Sequence, residues 1–208
     1  MTSLRRAFTR VLCIIMFAGL FSAAHAAGYH KYDTKSGIVT YDVVMSMMGM
    51  NIKTQRIVYW DDYGVTECQE DYKDDGTGTM TLKDVVFEKD GIRINYSAEQ
   101  RSGIKRKAVG YGVAGRYETD LTPKMKTEYK YKDLAPETIL GKQCVGEFMA
   151  TPYGDVNTYG WNHIMLKYDL NNEKAGMRTI TTATKLEENV AIPQSKFVVP
   201  GDVGLKEM

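Results

Sequence analysis

From Ile38 onward apolar and polar residues alternate, with β-branched and aromatic side chains crowding the apolar positions. A period of two is the repeat of a strand that buries one face, so the chain reads as a meander of strands. In the first strand Val39, Tyr41, Val43, Met45 and Met47 share a face, while Thr40, Asp42 and Ser46 point the other way. A second strand is expected over Ile52 to Trp60. Asp61-Asp62-Tyr63-Gly64 turns it into a third, Val65 to Glu70, and Asp74-Asp75-Gly76 marks the next turn. Leu82 to Glu88 and Ile92 to Ser97 flank Lys89-Asp90-Gly91, where glycine supplies the positive φ of a three-residue hairpin.

The rhythm stops between Ser102 and Tyr117, where Lys105-Arg106-Lys107 precedes three glycines, and this stretch reads as a mobile loop. Thr122 before Pro123 is a good N-cap and N1 pair, predicting one short helix over Pro123 to Tyr131 that ends before Pro136. Strands resume over Gln143 to Thr151, turn at Pro152-Tyr153-Gly154-Asp155, and continue through Val156 to Trp161 and Met177 to Glu188. A final strand, Lys196 to Val199, stops at Pro200-Gly201 because proline cannot donate to a ladder. The expected class is mainly β, in a single domain over residues 27–208.

The amino end follows a different logic. Arg5, Arg6 and Arg10 precede the apolar run Val11 to Phe21, and Ala24-His25-Ala26 is a small-x-small cleavage site, so residues 1–26 read as a secretory signal. The run of about eleven residues falls short of the ~20 that span a bilayer, and no later segment approaches that length. Arg5-Arg6-Ala7-Phe8 resembles a twin-arginine start, but the strongly apolar run suits the general secretory route. The expected destination is outside the cytoplasm, in the periplasm of a Gram-negative bacterium or beyond. Cleavage removes three arginines and no acid from a chain with 27 basic and 26 acidic groups, leaving a slight negative excess, so nucleic acid is not an expected partner.

Little chemistry is left to the mature chain. Cys68 and Cys144 survive in a compartment that permits a disulfide, and they read either as a pair or as two small buried hydrophobes. Gly110-Tyr111-Gly112-Val113-Ala114-Gly115 matches a phosphate-binding spacing, but no apolar strand precedes it and Pro123 interrupts the stretch where its helix would run. Asp71-Tyr72-Lys73-Asp74-Asp75-Gly76 lacks a calcium loop's third and twelfth ligands and reads as an acidic turn. Cys144 with His163 could form a nucleophile and base only by meeting in space, and neither sits in a recognisable motif. No enzyme is expected, and no cofactor. Met45-Ser46-Met47-Met48-Gly49-Met50 has three readings: plain core, the adaptable wall of an apolar cavity, or soft ligands for Cu(I). Period two sends Met45 and Met47 to one face and Met48 and Met50 to the other, so convergence needs a bend at Gly49.

The run from Asn189-Val190 through Phe197 to Pro200-Gly201-Asp202-Val203 resembles the last strand of periplasmic outer-membrane lipoprotein carriers of the LolA/LolB-like superfamily. The hairpin order, with the Tyr59-Trp60-Asp61-Asp62-Tyr63-Gly64 turn, suits that superfamily. Gly141-Lys142-Gln143-Cys144 before the strand carrying Trp161 is similar to its uncharacterised secreted relatives. The resemblance implies a strongly curved antiparallel sheet forming a half-open barrel with one or few short helices, whose concave face holds acyl chains. Carriers begin with a long helix, whereas here only Gly28 to Gly37 precedes the first strand. The expectation is a non-enzymatic exported protein that binds a lipid, an acylated peptide or another hydrophobic molecule. Tyr41, Val43, Met45, Met47, Val58 and Trp60 are the lining candidates chosen by alternation. The alternatives are a structural or interaction module with a protein partner in the envelope, and Cu(I) binding by the methionine run.

Overall fold

A computed structural model describes residues 30–108 and 121–208; the signal and the Gly110 to Gly115 motif lie outside the described residues. Among the described residues twelve strands pair into one sheet that does not close. They are β1 Gly37–Met47, β2 Met50–Asp61, β3 Thr66–Asp74, β4 Met80–Lys89, β5 Ile92–Ser97, β6 Ser102–Lys107, β7 Lys132–Ile139, β8 Lys142–Thr151, β9 Gly154–Trp161, β10 Ile164–Asn172, β11 Met177–Glu188 and β12 Gly204–Glu207. The spatial order is β12-β6-β5-β4-β3-β2-β1-β11-β10-β9-β8-β7, so β1 lies between β2 and β11 at the middle. Every pairing is antiparallel except β12 with β6. The result is the mainly β, half-open barrel expected from the sequence.

Two-residue turns make several of the hairpins. Met48-Gly49, Asp90-Gly91, Leu140-Gly141 and Asn162-His163 all have positive φ at both central positions. That geometry matches the right-handed twist of the flanking strands, which is why glycine recurs as the second residue. The turn at Asp90 is thus one residue tighter than the three expected, with Lys89 facing Ile92. At Met48-Gly49 the chain folds straight back, so β2 begins at Met50 and not at Ile52, and Met50 faces Met47. This corrects the alternation reading of the methionine run: Met50 returns to the face of Met45 and Met47.

Four further segments depart from the sequence reading. Ser102–Lys107 is strand β6, inside the stretch expected to be loop; it lies next to the sheet's end, where neither face demands regular apolar alternation. Strand β7 was hidden by Pro136, which is tolerated because β7 is an edge and its register shifts between Leu134 and Glu137. Strand β10, Ile164–Asn172, alternates plainly yet had no element assigned to it. The expected strand over Lys196 to Val199 is a 3-10 turn, Gln194–Phe197, followed by extended chain outside the sheet, and the last strand is β12 instead.

The expected helix is present as α1, Pro123–Glu128, with the Thr122 side chain accepting from the Met125 amide. Leu121, Met125 and Tyr129 pack on Met149, Val156 and Leu170 of the sheet. Curvature shows in a second cluster. Val58 of β2 and Cys144 of β8 are several strands apart in the order, yet both belong to one buried group with Tyr41, Trp60, Ile164 and Leu166. Such a group forms only if the sheet curls toward the face bearing it. That face is concave, and the opposite face of β2 to β5 is covered by the carboxyl-terminal segment through Ile192 and Phe197.

Candidate functional site

Register places all six lining candidates on the concave face. Gly37 faces Trp60 and Val39 faces Val58, so Tyr41, Val43, Met45 and Met47 of β1 lie on the same side as Val58 and Trp60 of β2. They do not line an open cavity together. Tyr41, Val43, Val58 and Trp60 are buried in the cluster that fills one end of the half-barrel, and none of the six borders the recess described below. The filling comes from a piece of chain that alternation could not place, the segment before β1. Tyr32 enters the interior with its ring 4.7 Å from that of Trp60, tilted 42°, and its hydroxyl donates to Glu67. Trp60 Nε1 donates to the Thr34 carbonyl at 3.2 Å, and the Tyr41 hydroxyl to the Met165 carbonyl at 2.8 Å. Burial, followed by the charge of Glu67, pushes the Tyr32 phenol well above its ordinary pKa, so it stays neutral. Met45 and Met47, nearer the β1–β2 turn, are only half-buried.

A recess of about 250 Å³ lies on the outer face, between the sheet and the strap formed by residues 195–200. Its floor is Cys68 of β3, Val85 and Phe87 of β4 and Tyr96 of β5, which alternate onto one side. Its roof is Val198, Val199 and Pro200. The strap is held down at one polar point. Lys196 Nζ donates to both carboxylate oxygens of Glu70, at 2.7 and 2.9 Å, and lies 4.5 Å from the centre of the Tyr59 ring. Tyr72 and Tyr59 donate their hydroxyls to the same carboxylate at 2.8 and 3.1 Å. A buried carboxylate with four donated hydrogen bonds and a counter-charge satisfies the demands of burying an ion. The Lys196 ammonium is raised above its usual pKa: burial works to lower it, but the hydrogen bonds to Glu70 and Tyr59 and the charge of Glu70 outweigh that. Sequence reasoning missed this recess because its roof and floor are far apart in the chain and the roof was read as a strand. The available signal was that Cys68 and Glu70 alternate onto the face opposite the lining candidates.

Cys68 and Cys144 are free and buried. The disulfide considered from the sequence is not formed, because Cys68 belongs to the cluster under the strap and Cys144 to the concave cluster, on opposite sides of the sheet. Burial, then the Glu70 charge, pushes the Cys68 thiol up to about 12. The thiolate is the reacting form, so its alkylation at pH 8 is expected to be about a thousandfold slower than that of an exposed cysteine. Iodoacetamide followed by intact mass should show two additions in denaturant and slow labelling of Cys68 in the native protein. Among the described residues no helix is long and apolar enough to cross a membrane.

No family model matches the chain, and no curated protein matches it. Solved structures do. An uncharacterised conserved protein from Thermus thermophilus superposes with a TM-score of 0.55 at 7% identity, over 85% of this chain and 93% of that one. The MucA/MucB complex of Pseudomonas aeruginosa gives 0.46 at 13%, over 82% of this chain and 58% of the matched one. An outer membrane lipoprotein-sorting protein domain, described as putative, from Vibrio parahaemolyticus gives 0.35 at 10%, over 84% and 92%. The first is a likeness of fold alone; the other two superpose more loosely.

Proposed function

We propose that the protein is a non-enzymatic, exported binding protein of the cell envelope that receives an acyl chain, or another slender apolar ligand, beneath the carboxyl-terminal strap. The observation that carries this reading is the recess itself, about 250 Å³, in which Val85, Phe87, Val198, Val199 and Pro200 share the lining with the polar groups of Glu70, Ser195 and Lys196. That volume lies just below the ~300–1,000 Å³ of drug-sized sites, which favours a single chain over a ring system. About eight buried methylenes would contribute about 6 kcal/mol at ~0.8 kcal/mol each, before the cost of association. The affinity is therefore modest, as suits a protein that picks up a ligand and gives it away.

Native mass spectrometry after gentle purification, with displacement of a fluorescent fatty acid, tests the proposal. The mature chain is expected to carry added mass and to bind the probe. Val199→Trp, which fills the recess from a half-buried roof position, is expected to weaken binding at least tenfold with an unchanged circular dichroism spectrum. An empty chain that leaves the probe free would remove the proposal.

A further inference from the structure

The tight turn at Met48-Gly49 does more than join β1 to β2. It sets Met50 opposite Met47, and on the other side of β1 Met47 is opposite Met177 of β11. Three thioethers thus occupy one rung across three adjacent strands. Directly opposed residues have Cβ atoms about 4.5–5.5 Å apart. On the concave side of a curled sheet the side-chain tips draw closer than the backbones. Methionine is unbranched with three rotatable bonds, so its sulfur has the freedom to complete the approach. Met45 lies on the same face, two residues along β1.

The surroundings are neutral. Asn172 of β10 continues the rung beyond Met177, and the next rung on that face holds Leu170, Thr179, Met45 and Ile52, none of them ionisable. Core packing accounts for Met177, which lies partly buried against the cluster of Leu121, Met149, Val156 and Leu170, but not for Met50, which is 59% exposed, or for Met48, at the tip, which is 83% exposed. Hard or nitrogen-preferring cations are not provided for: among the described residues no group of three or more His, Cys, Asp or Glu could hold a metal ion. Neutral thioethers select a soft ion of low charge. We infer that Met47, Met50 and Met177 form a solvent-accessible site for Cu(I), with Met45 within reach as a fourth sulfur. The site lies on the concave face, away from the recess under the strap, and is independent of the binding function proposed above.

The test is titration of the mature chain, residues 27–208, with Cu(I) held by bicinchoninate under ascorbate and nitrogen. One Cu(I) per chain is expected to transfer from the chelator. Met47→Leu and Met177→Leu keep volume and apolarity but remove sulfur, and each is expected to weaken affinity at least tenfold. Met48→Leu, at the tip of the turn, is expected to bind as the wild type does. As a second readout, Ag(I) added to protein labelled with 13C at the methionine methyls should shift Met47, Met50 and Met177 and leave Met48 in place. A wild-type chain that takes no Cu(I), or leucine variants that bind it as tightly, would overturn the assignment. Fatty-acid displacement by the same variants should be unchanged, so the two proposals fail separately.

Discussion

Trp60→Ala is expected to destabilise the protein by about 3–5 kcal/mol, the cost of deleting a large aromatic from a closed core. Trp60 is fully buried, packs against Tyr32 and donates to the Thr34 carbonyl. Removing it also takes away one of the contacts that hold the amino-terminal segment at this end of the half-barrel. The fit has no slack on its other side, since a Cβ at Gly37 would lie 2.2 Å from the Trp60 ring. The cavity left by alanine therefore has little nearby to collapse into it, and the cost belongs toward the upper part of that range. For a chain of this size the loss corresponds to a fall in Tm of about 10 °C. Urea unfolding and calorimetry measure it. A loss below about 1 kcal/mol would show that the interior yields around the gap and is not closed at this end.

Lys196→Met is expected to cost about 2–3 kcal/mol and to loosen the strap. The lysine is part of a pair whose carboxylate, Glu70, is buried, so its removal leaves a charge held only by the hydroxyls of Tyr59 and Tyr72. Breaking a fully buried pair costs about 3–5 kcal/mol; the lower figure here reflects a Lys196 side chain that is 30% exposed. Adding Glu70→Gln should restore much of the loss, because the uncompensated charge goes with it. The pH dependence has a definite sign. The folded pKa of Lys196 is raised, so the pair's contribution is fully present below the unfolded value of about 10.4 and is lost as pH climbs through the folded value. The stability gap between wild type and variant should hold from pH 7 to 9 and shrink above about pH 10.4. A gap that grows with alkalinity would contradict the pairing.

The half of the architecture legible in the sequence is the half in which a single strand carries its own signal. Alternation placed Val39, Tyr41 and Val43 of β1 on the inward face because there the more deeply buried positions recur every second residue; in β2 Val58, Tyr59 and Trp60 are all buried, since the carboxyl-terminal segment covers the outer face as well. Pattern failed where burial is set by a distant piece of chain. Nothing in Val39 to Met47 announces that Tyr32 fills the space in front of them, and nothing in Ser195 to Pro200 announces a roof in place of a strand. Strands β6 and β7 were obscured for the opposite reason: near a sheet's ends there is little burial to impose a period, and proline is tolerated. Cysteine pairing was undecidable from spacing, since it depended on which face each strand turned inward. The resemblance to lipoprotein carriers anticipated the half-barrel, while the recess lies on the side away from the concave face it implied and from the residues that alternation selected.

The place of β1 has a consequence for the order in which the molecule is made. Its two neighbours are β2, the next strand to emerge, and β11, which emerges after almost everything else. The central seam therefore waits for the far end of the polypeptide, and contacts so distant in sequence are slow to form. A chain threaded outward from its amino end would stay open through most of its passage and knit together only after delivery, a sequence of events that suits transport in an unfolded state.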